Sequence, residues 1–154
     1  MSRKRSQVMN KSILLVDDSL PSLMLSRFLL LQAGFEVRTA ENAEQALLAL
    51  ETRVPDMILM DIQMPGMDGL ALTRHLRRDG SLRSVPIVAF TASAIKGDEE
   101  IALAAGCDGY ITKPIDTRTF VDLVRDYAGT RSAGIRSAGT GPGRAQGAGV
   151  SVLL

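Results

Sequence analysis

The sequence predicts an α/β domain in which helices cover both faces of a doubly wound, five-stranded parallel sheet. Short apolar runs alternate five times with segments whose apolar residues recur at helical spacing. The run at residues 57–60 is apolar throughout, as expected of a strand buried on both faces. Consecutive strand–helix units favour parallel strands joined by right-handed crossovers. The functional edge of such a sheet lies at the carboxyl ends of its strands.

The strands are predicted from short apolar runs, most of them followed by polar or turn-forming residues. They are β1 at residues 13–16, β2 at 35–39, β3 at 57–60, β4 at 87–90 and β5 at 110–112.

Helices are predicted in the intervals between these strands and after the last one. Apolar residues at helical spacing predict three of them: α1 from Leu20, Met24, Phe28 and Leu31, ending before Gly34; α2 from Ala43, Ala46, Leu47 and Leu50; and α5 from Phe120, Leu123, Val124 and Tyr127. The two other predicted helices are α3, at residues 69–78, and α4, which opens with the acids at residues 98–100 and stops at Gly106. Asp116 or Thr117 is the candidate N-cap of α5.

The chain of 154 residues is long enough for one domain with tails, and 45% of it is hydrophobic, which suffices for a core. Residues 1–10 are predicted to be a basic N-terminal extension, of which 1–8 are either a dispensable extension or the result of a mis-called initiation site. Residues 11–128 are predicted to fold. Residues 129–154 are rich in Gly, Ser, Ala and Arg and are expected to be disordered.

Charge and composition exclude several classes of function. The basic ends leave the middle of the chain with all 17 acidic residues and 11 of the 18 basic ones, a net charge of about −6, which argues against nucleic-acid binding by the folded part. No apolar run is long enough to cross a bilayer, and no signal-peptide stretch is present. We therefore expect a cytoplasmic protein without membrane association. Cys107 is the only cysteine, which excludes a disulfide framework and a Cys-based zinc site.

Polar residues follow four of the predicted strands at the point where each strand ends. Asp17 and Asp18 follow β1, Asp61 follows β3, Thr91 follows β4 and Lys113 follows β5. In a parallel sheet these strand ends share one edge, so the side chains are expected to converge there. The sequence thus predicts carboxylates, a hydroxyl and an ammonium group in one site.

Such a group of side chains suits Mg²⁺ and a phosphoryl group. Mg²⁺ prefers oxygen ligands and takes only one or two carboxylates directly, which we assign to Asp18 and Asp61, with Asp17 acting through water and the backbone carbonyl of Gln63 as a further ligand. A carboxylate beside such an ion can attack a phosphoryl group and form an acyl phosphate. The ion and Lys113 would stabilise charge on the transferring oxygens.

These residues resemble those of response-regulator receiver domains in two-component signalling. The resemblance spans residues 11–128. It rests on Leu-Val-Asp-Asp at 15–18, Met-Asp-Ile-Gln-Met-Pro-Gly-Met-Asp-Gly at 60–69, Phe-Thr-Ala at 90–92 and Tyr-Ile-Thr-Lys-Pro at 110–114. It implies a flavodoxin-like strand order, 2-1-3-4-5. The stand-alone receivers of cell-cycle phosphorelays and the terminal receivers of hybrid histidine kinases are the most similar groups. Because no output domain follows, we expect a stand-alone receiver.

The spacing of the motifs matches that family as well. Asp61 follows Asp18 by 43 residues, Thr91 follows after 30 more, and Lys113 after 22 more. By this resemblance Asp61 is the phosphoacceptor, and Asp17, Asp18 and Asp61 form the Mg²⁺ site. Thr91 and Lys113 then stabilise the phosphoryl group.

The resemblance also implies a switch and partners. Thr91 and Tyr110 form the switch pair, and the bond between Lys113 and Pro114 is cis. A histidine kinase or a histidine phosphotransfer protein donates the phosphoryl group. An unidentified protein target binds the α4–β5–α5 face, including residues 95–103. The chain is then a signalling module that catalyses only its own phosphotransfer and dephosphorylation.

The sequence argues against two rival functions, and it leaves several residues without a predicted functional role. A hydrolase of the haloacid-dehalogenase type also uses a strand-end Asp with Mg²⁺, but it requires an acid where this chain has Gln63. A flavodoxin-like FMN binder would need Ser, Thr and Gly after β1, where the chain has an acid pair that would repel phosphate. The helix α3 carries residues that are expected to lie on a solvated face: Arg74, His75, Arg77 and Arg78.

Overall fold

The computed structural model describes residues 11–62, 68–91, 98–113 and 115–133. Within these ranges, five parallel strands form one sheet in the order β2-β1-β3-β4-β5. This order confirms the predicted doubly wound sheet. The observed bounds lie within one residue of those predicted: β1 Ser12–Val16, β2 Glu36–Ala40, β3 Met57–Asp61, β4 Ile87–Thr91 and β5 Gly109–Thr112.

Helices connect the strands as the sequence predicted. Their bounds are α1 Leu20–Gln32, α2 Ala43–Thr52, α3 Gly69–Arg77, α4 Asp98–Ala105 and α5 Phe120–Ala133, and a 3₁₀ turn at Gly80–Leu82 precedes β4. In the part of the chain that the structure describes, none of these helices combines the length and apolarity needed to cross a membrane.

Residues that alternate along each strand divide the core into two layers. Leu14 and Val16 of β1 belong to the layer that α2, α3 and α4 cover, whereas Ile13 and Leu15 belong to the layer under α1 and α5. The helices fill the first layer with Ala46, Leu50, Leu72, Leu76 and Ala102, and the second with Leu23, Leu30, Phe120, Val124 and Ala128. All five strands are therefore held between helices, which keeps their carboxyl ends in register.

Polar and glycine residues define where the helices begin and end. The side chain of Asn42 accepts the Gln45 backbone N–H at 2.8 Å and caps α2. Asp68 caps α3 in the same way through Ala71, also at 2.8 Å. Gly34 follows α1 with φ 99°, a left-handed conformation that glycine adopts without strain. The predicted stop at this glycine is therefore confirmed.

The apolar residues whose spacing predicted α1 are not the ones that pack on the sheet. They are exposed: Leu20 by 53%, Met24 by 67%, Phe28 by 56% and Leu31 by 42%. Leu23, Ser26 and Leu30 are buried instead. Because α1 is apolar on almost every side, its periodicity indicates a helix without indicating which side faces the core.

The prediction that the arginines of α3 all lie on a solvated face is wrong for Arg77. Arg74 and Arg78 are exposed, but the guanidinium of Arg77 donates to the Gly106 carbonyl at 2.9 Å and pairs with Asp108 at 2.8 Å. It also donates to the carbonyls of Leu82, Arg83 and Val85. Since Asp108 in turn accepts the Ile87 backbone N–H at 2.9 Å, Arg77 ties α3 to the start of β4 and to the segment between α4 and β5.

The last helix extends past the predicted end of the folded domain. It continues to Ala133, so the boundary predicted at residue 128 falls inside α5. Residues 1–10 and 134–154, which hold the predicted extension and most of the predicted tail, lie outside the described residues.

Candidate functional site

The strand ends bring the predicted side chains to one edge of the sheet. Asp17 directly follows β1, Asp61 is the last residue of β3 and Thr91 is the last residue of β4. All three are buried, with exposed fractions of 2%, 4% and 0%. The Lys113 backbone N–H donates to the Thr91 carbonyl at 2.7 Å, which extends the pairing of β4 and β5 up to the lysine. The sheet itself thus sets where these groups stand.

The carboxylates of Asp17, Asp18 and Asp61 form a compact cluster. Each offers one oxygen, and these oxygens lie within 4.8 Å of one another. Asp18 is exposed and the other two are buried. Like charges this close repel one another, and more strongly where burial weakens the screening by water. A hard divalent cation with oxygen ligands, such as Mg²⁺, fits this set of donors.

Lys113 supplies a positive charge to the cluster. Its Nζ lies 3.0 Å from Asp17 Oδ2 and 3.7 Å from Asp61 Oδ2, with only 16% of the side chain exposed. The same Nζ stands 5.1 Å from the centroid of the Phe90 ring. One ammonium does not balance the charges of the three clustered carboxylates, which leaves about two negative charges for a divalent cation to neutralise.

Asp17 is held by residues that the sequence analysis did not identify. The Ser19 backbone N–H donates to Asp17 Oδ1 at 2.9 Å, and the Ser22 hydroxyl donates to Asp17 Oδ2 at 2.7 Å. Both serines come from the start of α1. A hydroxyl in the first turn of a helix that follows a strand-end acid was the available signal, but such a hydroxyl usually caps the helix. Ser19 does occupy the N-cap position.

Thr91 and Tyr110 lie on neighbouring strands, on the same face of the sheet. Ala89 pairs with Tyr110 and Thr91 pairs with Thr112, so the two residues are offset by two positions along β4 and β5. Thr91 is fully buried, whereas Tyr110 is partly exposed and packs against the core layer under α3 and α4. The predicted pair therefore connects the carboxylate edge with the layer that α4 covers.

Tyr127 of α5 packs closely on β5. Its ring occupies the space that a Cβ at Gly109 would need, and it has a hydrogen-bonding interaction with the Tyr110 backbone. Burial is the main cause that raises the pKa of the Tyr127 hydroxyl above its ordinary value. This contact joins α5 to the strand that carries Tyr110.

Two predicted site features lie outside the described residues. Gln63, whose carbonyl was a candidate Mg²⁺ ligand, falls in the stretch 63–67, and Pro114, the predicted cis-proline, is likewise not described. Within the described residues, the structure brings the side chains of Asp17, Asp18, Asp61 and Lys113 together.

Comparison with known proteins identifies the class. The response regulator receiver domain family matches residues 13–125, and the chain belongs to this family. It is therefore a receiver domain of a response regulator in two-component signalling, and neither rival class describes it.

One relative and two solved structures show which receiver domains and response regulators the chain is similar to. Over 122 aligned residues the chain is 43% identical to the polar-differentiation response regulator DivK of Brucella anthropi. The alignment covers 79% of this chain and 98% of the relative. The receiver domain of the sensor histidine kinase PA1611 from Pseudomonas aeruginosa, solved with a magnesium ion coordinated in its active-site cleft, matches with 33% identity and a TM-score of 0.71 over 78% of this chain and 98% of that one. The chemotaxis response regulator CheY4 of Vibrio cholerae matches with 26% identity and a TM-score of 0.72, over 76% of this chain and 98% of that one.

Proposed function

We propose that the chain is a phosphorylation-controlled response regulator in which Asp61 accepts a phosphoryl group in an Mg²⁺-dependent transfer. The observation that carries the proposal is the group of carboxylates whose oxygens lie within 4.8 Å of one another, with the Lys113 ammonium 3.7 Å from Asp61. A histidine kinase or a histidine phosphotransfer protein would be the donor, as the family implies.

The residues present fit an Mg²⁺ ion. Asp18 and Asp61 would hold it directly, Asp17 through water, and the Gln63 backbone carbonyl would complete the protein ligands. When bound, the ion supplies positive charge beside the transferring oxygens. The magnesium coordinated in the PA1611 receiver, a relative of this chain, supports the assignment.

Asp61 is suited to the role of nucleophile. It is the last residue of a buried central strand, so its carboxylate is held at a fixed place. One of its oxygens forms a bond to phosphorus while the phosphorus–nitrogen bond to the donor histidine breaks. The electron pair of that bond stays on the imidazole nitrogen, and the product on Asp61 is an acyl phosphate.

Lys113 is poised to stabilise the phosphoryl group. Its ammonium is closer to Asp17 than to Asp61, at 3.0 Å against 3.7 Å. A phosphoryl group on Asp61 would bring new negative charge within reach of this ammonium, which strengthens its interaction on the Asp61 side.

The signal would pass from Thr91 to Tyr110 and then to the α4–β5–α5 face. Thr91 would donate a hydrogen bond to the phosphoryl group and move inward, and Tyr110 would follow into the space that Thr91 leaves. The described part of this face exposes apolar side chains: Ile101 and Leu103 on α4 and Leu123 on α5, with exposed fractions of 48%, 45% and 38%. We assign this face to the protein target. Residues 95–97, which the sequence analysis included in it, lie outside the described residues.

Intact-mass measurement tests the phosphoacceptor. The wild type, incubated with acetyl phosphate and Mg²⁺, should gain the mass of one phosphoryl group, and a chelator should prevent it. Asp61→Asn should gain none, because the amide keeps the shape and loses the nucleophile. Asp79→Asn is a matched control, since Asp79 lies in the loop before the 3₁₀ turn. Phosphate that remains on Asp61→Asn would exclude Asp61 as the acceptor.

A further inference from the structure

The carboxylate of Asp17 is held by three donors from two parts of the fold, the start of α1 and the residue that follows β5. Among the described residues, its donors are the Ser19 backbone N–H on Oδ1 at 2.9 Å, and the Ser22 hydroxyl and Lys113 ammonium on Oδ2 at 2.7 Å and 3.0 Å. Asp17 itself is 2% exposed, so bulk solvent competes little with these donors. These donors, more than solvent, determine the orientation of the carboxylate.

The donors on Oδ2 differ in how firmly they are held. Lys113 has a long, flexible side chain and a second carboxylate, Asp61, at 3.7 Å. In the proposed transfer it turns toward the phosphoryl group, which weakens its hold on Asp17. Ser22 has a short side chain on a packed helix, with Leu23 buried beside it. The Ser26 hydroxyl donates to the Ser22 carbonyl at 2.9 Å, a bond that involves neither the Ser22 hydroxyl nor Asp17.

We propose that Ser22 is a positioning residue for the magnesium site: its hydroxyl fixes the Asp17 carboxylate in the orientation that serves the ion, independently of Lys113. This inference rests on the proposed function, in which Asp17 acts on Mg²⁺ through water. An ionised carboxylate has about four lone-pair sites. The Ser22 hydroxyl and a water bound to the ion therefore act on Asp17 at the same time rather than in competition.

The expected effect is a weaker affinity for Mg²⁺. Removing a partner that orients a metal ligand typically costs 10–100-fold in metal affinity. We expect the lower end, about tenfold, for Ser22→Ala, because Asp17 acts through water and keeps its bond from Ser19. Ser22→Thr retains a hydroxyl at the same place and should restore most of the affinity.

A matched control comes from the same helix. Ser26→Ala also deletes a buried hydroxyl of α1, but that hydroxyl donates to a backbone carbonyl and not to Asp17. This variant should lose some stability and keep the wild-type affinity for Mg²⁺. Urea unfolding of every variant separates loss of fold from loss of the ion.

The test is an NMR titration of the folded, full-length proteins with MgCl₂, following the amide signals of Asp17 and Asp61. Weaker binding by Ser22→Ala, with Ser22→Thr and Ser26→Ala near wild type, is the result expected. The Mg²⁺ concentration for half-maximal phosphorylation should rise with it while the maximal rate stays within about twofold of wild type.

Two other outcomes overturn parts of this account separately. If the wild type binds Mg²⁺ and Ser22→Ala binds it equally well or more tightly, the positioning role is wrong and the proposed function stands. If the wild type shows no saturable response to Mg²⁺, the proposed function fails, and the role of Ser22 fails with it.

Discussion

The helices α1 and α4 lie on opposite faces of the sheet, and they are attached to it differently. The start of α1 is bound to the site through Ser19 and Ser22, and large side chains such as Leu30 fix its body to the core. Among residues 99–105 of α4, whose burial is described, only the small residues Ala102 and Ala105 are buried. Small residues bury less apolar surface and interlock less. This difference is consistent with the proposed function, in which α1 holds the site in place and the face that includes α4 changes on phosphorylation.

The largest effect is expected from Leu30→Ala, which tests whether the buried face of α1 attaches this helix to the core. Leu30 is fully buried, and removing such a side chain costs about 2–5 kcal/mol of unfolding free energy. The adjacent Leu31 is 42% exposed, so Leu31→Ala should stay within about 0.5 kcal/mol of wild type. Urea unfolding measures both, and equal losses would show that α1 packs by another face.

A second test concerns the proposed switch from Thr91 to Tyr110. Thr91→Ala should still be phosphorylated on Asp61 but should lose its response, because the Thr91 hydroxyl can no longer follow the phosphoryl oxygen. A hydrogen bond to a charged group contributes about 1.5–3 kcal/mol, and about 1.4 kcal/mol is tenfold in an equilibrium. Most of the phosphorylated protein should therefore return to the inactive state.

The readout for Thr91→Ala is the NMR signal of Tyr110 with and without phosphate. Thr73→Ala is a suitable control, since Thr73 is also a fully buried threonine but donates to the Gly69 carbonyl. A Tyr110 signal that shifts on phosphorylation as much in Thr91→Ala as in the wild type would exclude Thr91 from the switch.

Cys107 offers a reporter on the α4 side. Burial raises the pKa of its thiol from the ordinary value of 9.0 to about 11. At pH 8 a thiol reagent should therefore react far more slowly with the folded protein than with the urea-unfolded one. Rapid reaction in native buffer would mean that the segment after α4 opens readily.

The same thiol sets a pH dependence of stability. Because its folded pKa lies above its unfolded pKa, its contribution is fully present below about pH 9 and is lost as pH rises toward 11. A shift of this size corresponds to about 2–3 kcal/mol. Cys107→Ala should flatten the decline of stability between these pH values, measured by urea unfolding.

The smallest effect is expected from the C-terminal tail. Deleting residues 134–154 keeps the whole of α5 and removes a Gly- and Ala-rich segment that offers little apolar surface to a core. Neither the melting temperature nor the rate of phosphorylation by acetyl phosphate should change. A lower melting temperature would mean that the tail packs on the domain.

Parallel topology explains why the site could be predicted. Strand ends such as Asp61 and Thr91 meet at one edge whatever the details of packing, so naming the strands was enough to bring these side chains together. Ser22 was not foreseen because a hydroxyl in the first turn of a helix has a local use as a cap. Its bond to Asp17 depends on the angle at which α1 leaves the sheet.

Other features depend on contacts that a sequence does not display. The bonds of Arg77 go mostly to backbone carbonyls, which every residue carries, so no pattern of side chains announces them. The side of α1 that faces the core was ambiguous because leucines surround the helix. The domain boundary was predicted at residue 128 because the composition changes there to Gly, Ser, Ala and Arg, and α5 continues past it to Ala133.

The hydrogen bond from Arg77 to the Gly106 carbonyl fixes the C-terminal end of α4. Arg77 holds the residue that follows the helix and also Asp108, and Gly106 has φ 116° and no side chain to displace the arginine. With eight residues α4 is about 12 Å long. A tilt of α4 that left these hydrogen bonds intact would therefore pivot about Gly106, with a displacement that is small at Ala105 and largest at Asp98. A slight tilt at the pivot becomes a much larger displacement at the tip.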